Sequence, residues 1–273
     1  MEKLTPFFLD SAQGKIFCLY FPPKQELKGA ILYVPPFLEE MNRCRSTVAQ
    51  QAKSFSELGF ACLIMDYYGT GDSEGLLSEA SWEVWINNVK DAATWLEAKT
   101  QHKLTLWGFR FGALMASKIA EGEPERFNNL LLWQPVLDGK TFLTQYLRIR
   151  VAFLMDRELP AETTKSIREN LANNKSVEIA GYELFPQLAL DIDQIKMANL
   201  KNINSFQIDW YENVTEEEKP ISVASKKIVS HLTELGNTVD VNTFLGPPIW
   251  QLHERDELPE IIRLTTEKFQ GIQ

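Results

Sequence analysis

The 273-residue chain has only three cysteines and three histidines, and neither set is spaced for chemistry. Cys18, Cys44 and Cys62 are well separated, odd in number and without a CxxC pair, which excludes a disulfide framework and a zinc or dithiol motif. They read as free thiols in a reducing compartment, so a cytoplasmic location is expected. The scattered histidines offer no ligand spacing, and no metal is expected. GxGxxG and GxxxxGK loops are absent, so neither a dinucleotide nor a nucleoside triphosphate is indicated, and no cofactor is expected. No apolar run reaches the length of a membrane span, and the amino terminus lacks the apolar core of a signal peptide. Positive charge is also scarce. With 28 Lys and Arg against 37 Asp and Glu, the net charge of −9 argues against nucleic acid or an anionic membrane as main partner.

What is present is ordinary globular material, 44% hydrophobic and 24% charged, arranged as alternating apolar runs and amphipathic stretches. Residues 15–22 read as an early hairpin strand. The runs 29–35, 60–66, 104–108 and 129–135 read as buried strands, with helices predicted over 42–58, 81–98 and 110–121. Continuous apolar strands separated by helices imply a parallel sheet buried on both faces. The alternation stops from about 137 to 200, which reads as an inserted, mainly helical lid on one domain spanning 1–273. It resumes with a strand at 203–210, a helix near 220–235, a strand at 238–245 and a closing helix after Pro259.

The stretch LTLWGFRFGALMAS, 104–117, carries the most information. A core strand, then Gly108-Phe109-Arg110-Phe111-Gly112, then a small-residue helix has the layout of a nucleophile elbow. Gly108 and Gly112 remove side chains where strand and helix backbones nearly touch. Together with VPPFLEEMNRCR (34–45), DYYGTGDSEG (66–75), LLWQPVLDGKTFL (131–143), IAGYEL (179–184) and GPPIW (246–250), this stretch resembles the α/β-hydrolase superfamily. Within it, the chain is similar to the second of two hydrolase-like families associated with exosortase-A and exopolysaccharide gene clusters. The resemblance implies an α/β-hydrolase fold, a mostly parallel, doubly covered sheet with an inserted helical lid. It also implies that arginine at the elbow is usual for the family.

In the superfamily the middle residue of the elbow attacks the substrate, which Arg110 cannot do, because its guanidinium stays protonated and has no acceptor lone pair. Two readings of Arg110 stand side by side. It is either a filler neutralised by Glu39 or Glu40, or an anchor for an anionic or acyl ligand beside a helix N-terminus. The superfamily acid falls after the strand that follows the lid, where Asp209, Glu212 and Glu216 to Glu218 are candidates. The superfamily histidine falls after the last strand, where the chain reads Gly246-Pro247-Pro248-Ile249-Trp250 and the one nearby histidine is His253. Phe37 and Phe111 are placed to offer backbone N–H groups to an oxyanion, and Gln134, at a strand end, is expected to face the same crevice. Ser73 reads as a turn residue, and Trp133 and Trp250 as core.

Three functions follow as expectations. The first is a hydrolase-fold protein without serine-hydrolase chemistry that binds a small anionic or acyl ligand. The second is a hydrolase or acyltransferase with an atypical nucleophile, Cys44 or Ser46. The third is a non-catalytic partner protein whose lid surface contacts another component of an exopolysaccharide or protein-sorting pathway; a protein partner or a homo-oligomer is the matching partner expectation.

Overall fold

The computed structural model describes residues 3–251 and 256–271. Ten strands, β1 (Thr5–Asp10), β2 (Lys15–Phe21), β3 (Gly29–Val34), β4 (Phe60–Met65), β5 (Leu104–Phe109), β6 (Phe127–Trp133), β7 (Val177–Ile179), β8 (Tyr182–Leu184), β9 (Gln207–Asn213) and β10 (Thr238–Phe244), occur among the described residues. Eight of them form one sheet in the order β1-β2-β4-β3-β5-β6-β9-β10. The pairs β1–β2 and β2–β4 are antiparallel, and the other neighbours are parallel. This is the mostly parallel sheet that the apolar runs predict.

The alternation of side chains along each strand divides the core in two. On one face, Leu32, Leu106, Leu130 and Ile208 pack under α2 (Trp82–Thr100) and α3 (Phe111–Gly122). On the other, Tyr33, Trp107, Trp133 and Tyr211 pack under α1 (Glu39–Glu57) and α8 (Pro259–Gln270), through Phe55, Ile261 and Phe269. Helix α2 starts where Ser81 accepts from the Val84 N–H at 3.2 Å, a cap worth about 1 kcal/mol. No described helix is long and apolar enough to cross a membrane.

Between β6 and β9 the chain forms α4 (Gly139–Asp156), α5 (Thr164–Ala172), the β7–β8 hairpin and α6 (Pro186–Gln194). The hairpin is not in the sequence reading, because strands of three residues are too short to show alternation. Asp138 caps α4 by accepting from the Thr141 N–H at 2.7 Å. Gly139 lets α4 meet α6, since a β-carbon there would lie 1.9 Å from the Ile192 carbonyl oxygen. Helix α7 (Val223–Glu234) joins β9 to β10.

One strand is displaced from its expected position. The predicted strand 203–210 is observed at Gln207–Asn213. Ile203 and Phe206 are buried before the strand begins. Polar-looking residues continue it, because Glu212 is buried with partners: it accepts from the Trp210 indole N–H at 3.2 Å and the Ser222 N–H at 2.8 Å.

Candidate functional site

The elbow follows from what its glycines exclude. A β-carbon on Gly112 would lie 2.0 Å from the Val34 carbonyl oxygen, and one on Gly108 would lie 2.4 Å from the Ala113 α-carbon. Strand β5 can therefore turn straight into α3 only with glycine at both positions. Between them Arg110 has φ 55° and ψ −118°. Its N–H donates to the Trp133 carbonyl at 2.9 Å, and its own carbonyl accepts from the Val136 N–H at 3.1 Å. Leu38, before α1, has φ 45°, and Gln134, after β6, has φ 43°. Each such residue costs about 1–3 kcal/mol and persists only where its surroundings over-determine it. Three of them at the carboxyl ends of neighbouring strands mark one crevice.

In that crevice the Arg110 Nε and Nη2 groups donate to a single oxygen, Glu40 Oε1, at 3.3 and 3.1 Å. Both side chains are largely enclosed, 11% and 14% exposed. The other carboxylate oxygen, Oε2, is buried with no partner among the described residues. Burial pushes the Glu40 carboxyl up, and the Arg110 charge beside it opposes that rise. The Trp250 ring lies 5.3 Å from the guanidinium carbon, within cation–π range. Arg43 donates to Glu39 at 3.3 Å and to the Trp250 carbonyl at 3.5 Å.

Two cavities meet at Arg110. One, of about 290 Å³, is lined by Glu39, Glu40, Arg43 and Arg110 together with Phe142, Tyr146, Ile149 and Trp250. The other, of about 330 Å³, lies toward Gln134, Glu212 and Ser222. The Gln134 side chain accepts from the Asn213 N–H at 2.6 Å, tying β6 to the end of β9. Phe37 and Phe111 are buried with ring centroids 5.3 Å apart, in a cluster with Trp85, Phe142 and Tyr146.

The remaining candidates fall elsewhere. Asp209 is corrected: it is the third residue of β9, not its end, and lies 3.3 Å from Lys268 of α8. Cys44 is corrected as an atypical nucleophile. Its thiol is fully buried, and desolvation, with Glu40 adding to it, holds its pKa well above the ordinary value, so the reactive thiolate is disfavoured and out of reach. His253 lies outside the described residues. Ser73 is structural, accepting from the Phe17 N–H and donating to the Asp66 carbonyl at 2.8 Å each. Trp133 is core, as expected, whereas Trp250 both packs and lines the Arg110 cavity. Its position shortly after the last strand, in the Gly246–Trp250 segment, was the available signal. Tyr146 and Arg43 carried none. Among the described residues no cluster of His, Cys, Asp or Glu could hold a metal ion.

The sequence profile of the serine aminopeptidase S33 hydrolases (Hydrolase_4) matches residues 25–183, more than half of the chain. The chain belongs to this family. Mouse mitochondrial palmitoyl-protein thioesterase ABHD10 is 29% identical over 150 residues, covering 54% of this S33-family chain. The chain spans about half the length of that relative, 48%. Among solved structures, the thermostable carboxyl esterase from Bacillus coagulans superposes with a TM-score of 0.70 at 13% identity, over 100% of this chain and 99% of that one. Mouse alpha/beta hydrolase domain-containing protein 10 gives 0.60 at 19% identity, over 97% and 96%. Such identities speak for the fold alone, and the fold of this family member is the α/β-hydrolase fold.

Proposed function

We propose that the protein binds a small acyl or anionic ligand in the crevice above the elbow and performs no serine-hydrolase chemistry. The observation that carries this reading is Arg110 itself: it stands at the elbow, forms part of the wall of two cavities, and lies against the Trp250 ring. Glu40 engages only Nε and Nη2, which among the described residues leaves Nη1 for a ligand oxygen. Among the described residues, the four charges around the 290 Å³ cavity, Glu39, Glu40, Arg43 and Arg110, cancel, which favours a neutral acyl carbonyl over a free anion. Segment 137–200 serves as the lid of a single domain spanning 1–273, in a cytoplasmic, exosortase- and exopolysaccharide-associated setting.

The test pairs labelling with binding. A fluorophosphonate probe is expected to leave the protein unlabelled, and p-nitrophenyl butyrate to be turned over no faster than by buffer. Calorimetric titration with N-(2-hydroxyethyl)butanamide and sodium butyrate is expected to show binding that depends on Arg110. Stoichiometric labelling of one residue, abolished by its substitution, would overturn the reading. A second reading draws on the likeness to the mouse thioesterase: hydrolysis of an acyl ester or thioester without residue 110 as nucleophile. Turnover of an acyl thioester by protein that resists fluorophosphonate would favour it.

A further inference from the structure

Helix α4 carries a stripe of large apolar residues at Phe142, Tyr146, Ile149 and Phe153, spaced four, three and four residues apart, so all four lie along one face. The inner two are buried, and the outer two are 45% and 53% exposed. Phe142, Tyr146 and Ile149 line the cavity that holds Arg110. Ile149 therefore belongs both to the cavity wall and to the outer surface, and Phe153 continues the same face outward by one turn. The Arg157 guanidinium carbon lies 5.6 Å from the Phe153 ring, so the apolar stripe ends at Phe153 under a positive charge. From Phe142 to Phe153 the stripe is about 16 Å long, at 1.5 Å per residue.

The α4 stripe of Phe142, Tyr146 and Ile149 runs from the polar end at Arg110 to the surface, with Gln145 and Gln251 beside it in the wall, and suits a molecule with a polar end and an apolar chain. Resting on the acyl-ligand reading above, we infer that the ligand is a straight-chain acyl compound whose carbonyl meets Arg110 and whose chain runs along α4, over Ile149 and Phe153, to the surface. At roughly 30 Å³ per water-sized group, the 290 Å³ cavity holds about ten heavy atoms. An acyl group of about eight carbons fills it, and a longer chain emerges onto Phe153. The exposed apolar residues of α4 are then the outer half of a ligand track, covered when the chain is long enough to reach them. The cancelled charge at the inner end admits the neutral carbonyl of an amide, ester or thioester in preference to a carboxylate.

Calorimetric titration with N-(2-hydroxyethyl)alkanamides and sodium alkanoates of four, eight and twelve carbons, each below its critical micelle concentration, tests this. Burial of each methylene is expected to tighten binding by about fourfold, so the eight-carbon amide binds roughly two orders of magnitude tighter than the four-carbon one. The twelve-carbon amide gains at least another tenfold, and Phe153→Asp, at an exposed position, brings the twelve-to-eight ratio down to about one. Each amide binds at least as tightly as its alkanoate. Affinity independent of chain length, or a chain-length gain that Phe153→Asp leaves intact, overturns the inference. Flat chain dependence with four-carbon binding lost in Arg110→Met refutes the track while leaving the acyl-site reading in place. Binding indifferent to residue 110 at every length refutes both. Should Arg110→Met fold poorly, the Glu40→Gln, Arg110→Met double variant, which removes both members of the buried pair, takes its place.

Discussion

Replacing Arg110 with methionine keeps most of the side-chain length and removes the charge, and the structure sets what that costs. Glu40 would be left with Oε1 having lost both of its donors and Oε2, already buried, still without a partner. Breaking one side of a buried pair costs about 3–5 kcal/mol. With the two side chains 11% and 14% exposed, some solvent relief remains, and the lower end, about 3 kcal/mol, is expected. Loss of the Trp250 contact adds about 0.5–1 kcal/mol. The cost depends on pH with a definite sign. Burial raises the Glu40 carboxyl in the folded protein, so between its ordinary and its raised value the folded state holds more protons than the unfolded state, and stability falls as pH rises through that window. Without Arg110 the carboxyl rises further and the window extends upward. The deficit of Arg110→Met is thus greatest at neutral pH and shrinks as the solution is acidified toward the ordinary carboxylate range. Urea unfolding followed by tryptophan fluorescence at pH 7.5 and pH 5 measures both terms. Adding Glu40→Gln to Arg110→Met should recover most of the loss, to within about 1 kcal/mol of the parent, because the stranded charge is gone. If Arg110→Met costs less than about 1 kcal/mol at pH 7.5, or if Glu40→Gln rescues nothing, the pair is not a buried electrostatic unit and the reasoning fails.

Other outcomes follow from the same geometry. Gly112→Ala places its β-carbon 2.0 Å from the Val34 carbonyl oxygen and should destabilise by more than about 4 kcal/mol, whereas Gly122→Ala, at the end of α3 with nothing within 4 Å, should be neutral or stabilising by up to about 1 kcal/mol; paired urea curves separate the two. Arg110→Ser installs a hydroxyl at the elbow beside the Trp250 ring, and on the proposed reading its rate on p-nitrophenyl butyrate should stay at background, whereas a rise of a hundredfold would reveal a general base in reach. All three cysteines are buried, so a thiol reagent should count none within minutes in the native protein and three in urea. Rapid native modification of Cys44 would contradict its enclosure beneath Glu40.

The fold was legible because its strands are long enough to show their burial. The runs at 29–35, 60–66 and 104–108 come within a residue or two of the observed strands, since a strand covered on both faces has no polar positions to blur its ends. The strand at Gln207–Asn213 was misplaced because Tyr211, Glu212 and Asn213 read as a loop, and only tertiary partners such as the Trp210 indole and the Ser222 N–H make a buried glutamate acceptable there. That shift moved Asp209 from strand end to strand interior and removed it from the crevice. At the site, Gly108, Gly112 and Arg110 were readable because a turn this tight dictates its own residues. The sequence leaves Glu39 and Glu40 equivalent as partners of Arg110, and only the start of α1 at Glu39, which turns Glu40 inward, separates them. Trp250 was read as core by composition, and its contact with Arg110 depends on a meeting of residues 140 positions apart that no local pattern encodes.

The elbow has a consequence for what can be built on this protein. Its backbone is fixed by glycines on either side and by the hydrogen bonds to Trp133 and Val136, none of which involves the side chain at position 110. The turn is therefore indifferent to the residue it displays, and position 110 acts as a socket. A thiol, an imidazole or a synthetic side chain installed there would project from the same backbone, over the N-terminus of α3, toward compartments already shaped on both sides. With Glu40 changed alongside so that no charge is stranded, the scaffold becomes a mounting for chosen reactivity, its geometry set before the reactive group arrives.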